Sequence, residues 1–296
     1  MNKNFSFIVL TFNEEIHLPR LLESIKDLNA PLYIMDSGST DKTLCIAKDY
    51  HAEIKTNPFI NHPLQWNHAL KSFDINTPWT IGLDADQIVS PELFKRLAEF
   101  KDMEHQDING IYFNRKNYFQ GQWIRFGGYY PFYLLKMFRT AVGFSDLNEN
   151  MDHRFIVTGQ TMIWKEGCII EENLKENDLN FWLSKHQRYS DLIAAEEIER
   201  AQNLRVQTLK PTLLGNPDEQ RAWLKRLWWK LPLGLRPYLY FSYRMLFKLG
   251  IFDGITGIKF HYLQGFWFRK LVDKKIKLLK KEITLKSKSE IKKYDN

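Results

Sequence analysis

The sequence predicts an α/β protein, a mixed and mainly parallel sheet flanked by helices, followed by a basic, aromatic helical extension. Three observations carry that reading. In the first hundred residues short apolar runs alternate with amphipathic segments, the order of a parallel sheet covered on both faces. Polar residues able to do chemistry follow the apolar runs, at the strand ends where open sheets bind ligands. Beyond Pro211 the character changes and aromatics interleave with Lys and Arg.

Residues 5–10 (FSFIVL), 32–35 (LYIM), 52–55 and 79–83 read as strands, and residues 16–28, 41–50 and 64–73 read as helices. Ser90-Pro91-Glu92 has the order N-cap, first-turn proline, first-turn acid, so a helix is expected from there to about Lys101. Residues 108–113 and 133–138 look like further strands around a Gly- and aromatic-rich loop, and 178–207 reads as one long helix. The last dozen residues, LKSKSEIKKYDN, are polar enough to be expected disordered. The expected organisation is a domain over 1–210, with a nucleotide half to 100 and an acceptor half after it, a helical extension over 211–285 and a tail over 286–296.

The 296 residues carry a net charge of +7, unevenly placed: residues 1–204 sum to −7, and residues 205–296, with 21 basic against 7 acidic side chains, to +14. Two cysteines, Cys45 and Cys168, make neither a disulfide framework nor a metal cluster and fit a reducing compartment. The short apolar run near the N-terminus lacks the form of an export signal, and no stretch offers the roughly 18 uncharged apolar residues of a spanning helix. The cytoplasm is therefore the expected location.

Three constellations stand out. Asp84 and Asp86 flank Ala85 where the 79–83 strand ends; if the backbone stays extended there, both carboxylates face one way, as hard oxygen donors for Mg²⁺ or Mn²⁺. The same D-x-D also fits a capped turn. DSGSTDKT, 36–43, closes the second strand and opens a helix, and Asp36 can accept from a base N–H or a ribose hydroxyl; an Asp/Ser/Thr-rich helix cap has the same composition. In KHQRYS, Lys185, Arg188 and Tyr189 share a helical face, as do His186 and Tyr189. That face could grip a diphosphate or be a solvated basic surface.

IVLTFNEE, DSGSTDKT, QWNHAL and LDADQIVSPEL together resemble the nucleotide-sugar half of the inverting family 2 glycosyltransferases with the GT-A fold. GGYYPFYLLKMFR, LNEN, VTGQ and WLSKHQRYSDLIAAEE extend the resemblance to the branch containing the lipopolysaccharide-core β-glucosyltransferases. The resemblance implies that Thr11, Phe12, Asn13 and Glu15 line the nucleotide pocket and that Asp36 contacts the base. It implies that Asn67, here preceded by Trp66, lies near the phosphates, that Asp84 and Ala85 meet the ribose or metal, and that Asp86 ligates Mn²⁺ or Mg²⁺. Glu149 in LNEN is the implied general base, with Asp146, Asp152, Glu171 and Glu172 as rivals, and Lys185, His186, Arg188 and Tyr189 would meet the diphosphate.

The expected activity is transfer of a sugar from a nucleoside-diphosphate donor, UDP-linked, to a hydroxyl of a glycolipid or lipid-linked saccharide. The enzyme would sit peripherally on the inner membrane face through the extension, with no nucleic-acid partner. A sugar nucleotidyltransferase shares sheet and aspartates but needs a glycine-rich basic loop after the first strand, which is missing here. A lipid- or polyanion-binding scaffold without turnover is the non-enzymatic alternative.

Overall fold

The computed structural model describes residues 2–149, 153–205 and 208–294, with side chains described to residue 285. The chain divides into two compact units, Met1–Asn177 and Asp178–Asn296. In the first unit the elements run β1 (Phe5–Thr11), α1 (Leu18–Ile25), β2 (Leu32–Asp36), α2 (Thr43–Asp49), β3 (Glu53–Thr56), α3 (His62–Ser72), β4 (Trp79–Asp84), β5 (Gln87–Val89) and α4 (Pro91–Ala98). They continue with β6 (Ile108–Phe119), β7 (Gln122–Ile124), β8 (Tyr133–Arg139), β9 (Phe144–Ser145), β10 (Phe155–Ile156) and β11 (Gln160–Glu171).

Nine of these strands form one sheet in the order β3-β2-β1-β4-β8-β6-β11-β5, with β7 paired to β6. β3, β2, β1 and β4 are mutually parallel; β8 runs antiparallel to both β4 and β6. β1 shows why the centre of the sheet is so apolar. Phe5, Phe7 and Val9 enter one core with α1 and α4, while Ile8 enters a second core with Trp66 and Phe155 on the other face. A strand buried on both sides has no polar alternation to display. The helix starts follow their capping residues: the Ser90 hydroxyl accepts from Leu93 N–H, and the Asn61 side chain accepts from Leu64 N–H ahead of α3.

The second unit comprises α5 (Leu179–Ala201), α6 (Pro217–Lys230), α7 (Arg236–Ser242), α8 (Gly254–His261) and α9 (Phe268–Tyr294). The division between these units falls at Asn177, whereas the expected organisation set its boundary at 210. The reason is visible on α5, where Trp182, His186, Ser190, Ala194 and Ile198 are buried at intervals of four. This ridge packs on α9, whose Phe268, Val272 and Ile276 repeat the same spacing. Arg236 joins the helices from beneath, 2.6 Å from Asp273 and 3.0 Å from Glu197. The helical backbone of α9 continues to Tyr294, past the point where composition suggested disorder.

A second polar chain lies inside this unit. Arg244 Nη2 is 2.6 Å from His261 Nδ1, and His261 Nε2 is 2.8 Å from Asp253 Oδ2, all three side chains buried. Burial and then the Arg244 charge push the His261 pKa down from 6.5 to about 4, so the ring is neutral, accepting from Arg244 and donating to Asp253.

Two predictions follow from this packing. A Cβ on Gly82 would sit 2.5 Å from Phe155 Cζ inside the second core, so Gly82→Ala should destabilise the chain by about 1–3 kcal/mol in urea unfolding. For His261, the unfolded chain takes up its proton near pH 6.5 and the folded chain only near 4. The unfolded state therefore binds more protons between those values, and stability falls as pH drops from 6.5 towards 4. Melting temperatures across that window should decline more steeply for the parent chain than for His261→Asn.

Candidate active site

The register of the sheet assembles the site. Thr11 at the end of β1 lies beside Asp36 at the end of β2, and Leu10 lies beside Asp84 at the end of β4. Because these strands are parallel, the loops that follow them emerge on one edge.

The first two loops are sewn together by hydrogen bonds. Asp36 has no exposed surface; its carboxylate accepts from Thr11 Oγ1 at 2.8 Å, from the N–H groups of Gly38 (2.8 Å) and Ser39 (2.7 Å), and from Ser39 Oγ at 2.5 Å. Across the gap Asn13 N–H donates to Ser39 Oγ, Asn13 Oδ1 accepts from Thr40 N–H, Glu14 N–H donates to Thr43 Oγ1, and Glu15 N–H donates to Asp41. Glu15 Oε2 in turn accepts from Lys42 N–H at 3.1 Å. From below, buried His17 accepts the Leu174 N–H on Nε2, which puts its own proton on Nδ1, 2.5 Å from Glu14. Lys175 Nζ reaches Asn13 O and Glu14 Oε1. Phe12 projects from this framework, 55% exposed.

The D-A-D segment departs from the extended geometry expected of it. Asp84 closes β4, but Ala85 and Asp86 form the turn into β5, and β5 pairs with β11 instead of β4. Strand alternation therefore does not apply across the pair. Asp84 turns to β8, where Lys136 Nζ lies 2.8 Å from Oδ2 and His153 Nδ1 3.8 Å from Oδ1. Asp86 turns to the segment after β11 and accepts from Asn173 Nδ2 at 3.0 Å. Burial would raise the Asp84 pKa, but the Lys136, His153 and His62 charges outweigh it and hold the carboxyl well below the usual carboxylate range. Lys136 itself is buried. Sequence reading missed it, since a lone lysine in a strand segment carries no signal until its partner is known.

His153 and Arg154 tie the loop after β9 to this corner: the first touches Asp84, and Arg154 Nη2 is 3.0 Å from Glu149 and also pairs with Asp146. Of the other candidate carboxylates, Asp146 is fully buried, Glu171 binds Arg115 and Gln87, and Glu172 binds Arg20. Asp152 lies outside the described residues.

Four of the residues expected to meet ligand also make contacts within the protein. Asp36 has four internal donors and no accessible surface, and builds the loop. Asn67 spends both amide atoms on the backbone of Ser145, at 2.8 Å each, and so clamps β9. The Ala85 methyl sits in the core, leaving only its backbone to the site. His186 belongs to the interior of the second unit, stacked on Trp182 at 3.6 Å and edge-on to Phe268. Lys185, Arg188 and Tyr189 lie on the same helix of that unit, Lys185 over the Tyr189 ring.

For a divalent cation the donor set fits in kind: two carboxylates on one strand-end turn, hard oxygens of the sort Mg²⁺ and Mn²⁺ combine with substrate phosphates and water. No cluster of three or more His, Cys, Asp or Glu able to hold a metal alone occurs among the described residues.

The model of glycosyl transferase family 2 matches residues 6–156, half of the chain. The chain belongs to glycosyl transferase family 2. The match covers the strand-end loops, the D-A-D turn, Lys136 and Glu149. The transferase is 24% identical over 212 residues to the lipopolysaccharide core biosynthesis glycosyltransferase LpsC of Rhizobium meliloti, across 69% of this chain and 75% of that one. It is 30% identical over 105 residues to an uncharacterized glycosyltransferase of Rickettsia typhi, a match spanning 36% of this chain and about a third (35%) of that protein's length. Among solved structures, S. aureus TarS 1–349 in complex with UDP aligns over 92% of this chain and 89% of its own, at 15% identity and a TM-score of 0.42.

Lys136 yields a direct test of this corner. In Lys136→Met the Asp84 carboxylate loses its ammonium, so Mn²⁺ added without nucleotide should raise the melting temperature more than in the parent protein. Lys136→Arg, which keeps the charge, should show no such gain.

Proposed function

We propose that this family 2 enzyme transfers a sugar, with inversion, from a UDP-linked donor to a hydroxyl of a glycolipid or lipid-linked saccharide in lipopolysaccharide or cell-surface polysaccharide synthesis. The observation that carries the reading is the register that sets Thr11 beside Asp36 and Leu10 beside Asp84. It gathers an exposed aromatic, a cross-braced polar loop and a pair of carboxylates on one sheet edge. The similarity to LpsC, named for lipopolysaccharide core biosynthesis, supports the acceptor class.

In this reading the Phe12 ring lies against the base, and the loops around Asn13 and Ser37 border the nucleoside. Asp84, kept ionised by Lys136, accepts from the ribose or joins Asp86 in holding the metal. Bound Mn²⁺ or Mg²⁺ on Asp84 and Asp86 supplies positive charge to the departing diphosphate. Glu149 takes the proton of the acceptor hydroxyl as it attacks the anomeric carbon from the face opposite the leaving group. Arg154 holds that carboxylate in place. From an α-linked donor the product is a β-glycoside.

The proposed location is the cytoplasmic face of the membrane, with peripheral attachment. No helix among the described residues is long and apolar enough to cross a membrane, and residues 205–296 carry +14, which favours an anionic surface.

A thermal-shift panel of nucleotide sugars with Mn²⁺ tests the donor side. A UDP-sugar should raise the melting temperature of the parent protein. Asp86→Ala should abolish that shift and lower transfer by about 10²-fold or more, while Glu149→Gln should keep the shift and lose transfer. A panel in which no nucleotide sugar stabilises the parent protein would sink the proposal.

A further inference from the structure

The second unit carries an apolar corner that its own packing leaves uncovered. Between α7 and α8 the chain makes a π-helical turn (Tyr243–Phe247) and a 3₁₀ turn (Gly250–Asp253). In ten residues around them Leu246, Phe247, Leu249, Ile251, Phe252 and Ile255 are all exposed, Phe247 at 77%, Phe252 at 68% and Ile255 at 89%. Single exposed apolar residues are ordinary on protein surfaces, but a contiguous group of this size marks an interaction site.

Loose packing does not account for the exposure. Directly beneath the corner runs the buried chain Arg244–His261–Asp253. The backbone closes tightly over it: a Cβ on Gly250 would fall 2.8 Å from Arg244 O, and one on Gly257 would fall 2.0 Å from Asp253 Cβ. The turn is therefore pinned from inside, and its apolar side chains have no room to fold inward. The interior is polar and full, and the outside is apolar.

The charges around the corner indicate what covers it. From Tyr243 to Tyr262 the sequence holds one acid, Asp253, and that residue is buried. The exposed charges of the stretch are Lys248 and Lys259. Half-exposed Tyr243 and Tyr262 stand at its two ends. Large apolar side chains at a tip, cations beside them, tyrosines at the rim and no exposed acid match the layered chemistry of a bilayer interface.

We propose that residues 246–255 form the membrane anchor, with Phe247, Phe252 and Ile255 entering the acyl boundary and Lys248 and Lys259 meeting anionic headgroups. This rests on the reading that the acceptor is held in a membrane, and it names the segment that makes the contact.

The test uses the full-length protein and flotation with vesicles of phosphatidylglycerol and phosphatidylethanolamine. The parent protein should float with them, and Phe247→Glu/Phe252→Glu should lose at least tenfold in vesicle affinity while keeping the melting temperature and the donor-induced thermal shift. Ile255→Cys in a Cys45→Ser background, labelled with an environment-sensitive dye, should brighten and shift to the blue on vesicle addition. Unchanged flotation of the double variant, or an Ile255 label that stays in water while the protein is bound, overturns the proposal. So does a dimer in light scattering that the double variant converts to monomers, which would assign the corner to a second copy. Loss of the vesicle result with an intact donor shift defeats the anchor alone, whereas loss of the donor shift with intact flotation defeats the transferase reading of the donor site.

Discussion

The site depends on one buried carboxylate. Asp36 stands at the end of β2 with no exposed surface, and four donors from Thr11, Gly38 and Ser39 converge on it. An ionised group in that position is costly unless its oxygens are fully met. The loop following β2 therefore turns back sharply enough to present two N–H groups, with Gly38 at φ +95° making the turn possible. Thr11 brings the end of β1 into the same cluster, and Asn13, Glu14 and Glu15 then lace the two loops along their length. This edge of the sheet is thus held by an interior carboxylate, and Phe12 stands exposed on its outer face.

Both units place a polar chain where a hydrophobic core would be the default, and in both it orders a surface. In the first, Lys136 and His153 meet Asp84, and the next residue, Arg154, meets Glu149 and Asp146, so His153 ties the segment after β9 to the end of β4 while Arg154 holds that segment's own carboxylates. In the second, Arg244, His261 and Asp253 hold a corner whose outer side chains are apolar. Paired buried charges of this kind favour one arrangement over many, because each alternative strands a buried charge.

The elements most legible in the sequence were those governed by local rules. The parallel strands announced themselves as unbroken apolar runs, and Ser90-Pro91-Glu92 announced α4 by its capping order. β11 escaped notice because WKEG interrupts it: Gly167, at φ +75°, makes a bulge between Trp164 and Cys168, and the alternation changes phase there. β5 is three residues long and pairs with β11, so nothing near it in sequence reveals it. At the site the residue types of Asp84, Asp86 and Glu149 were readable, but which groups they face was not. Lys136 approaches Asp84 from a strand 52 positions away, and Arg154 meets Glu149 only because the segment between them turns back. The burial of His186 was not readable, since a helical face rich in Lys, His, Arg and Tyr looks polar until Trp182 and Phe268 are known to enclose its histidine.

The pairing of Lys136 with Asp84 bears on how the two aspartates divide their work. A lysine ammonium taken out of water needs a counter-charge close by, and Asp84 at 2.8 Å provides it. The cost of burying Lys136 is thereby tied to keeping Asp84 ionised and turned towards β8. Asp86, in the turn and hydrogen-bonded to the neutral amide of Asn173, is oriented by a different part of the chain. The two carboxylates therefore act as separately positioned groups, and a cation or ribose that engages Asp84 must compete with an ammonium already in contact. Under the proposed function, an arriving donor would bring two phosphates of its own, whose negative charge would draw a cation more strongly than a half-neutralised carboxylate can. Metal and nucleotide would then bind together, each making the site for the other.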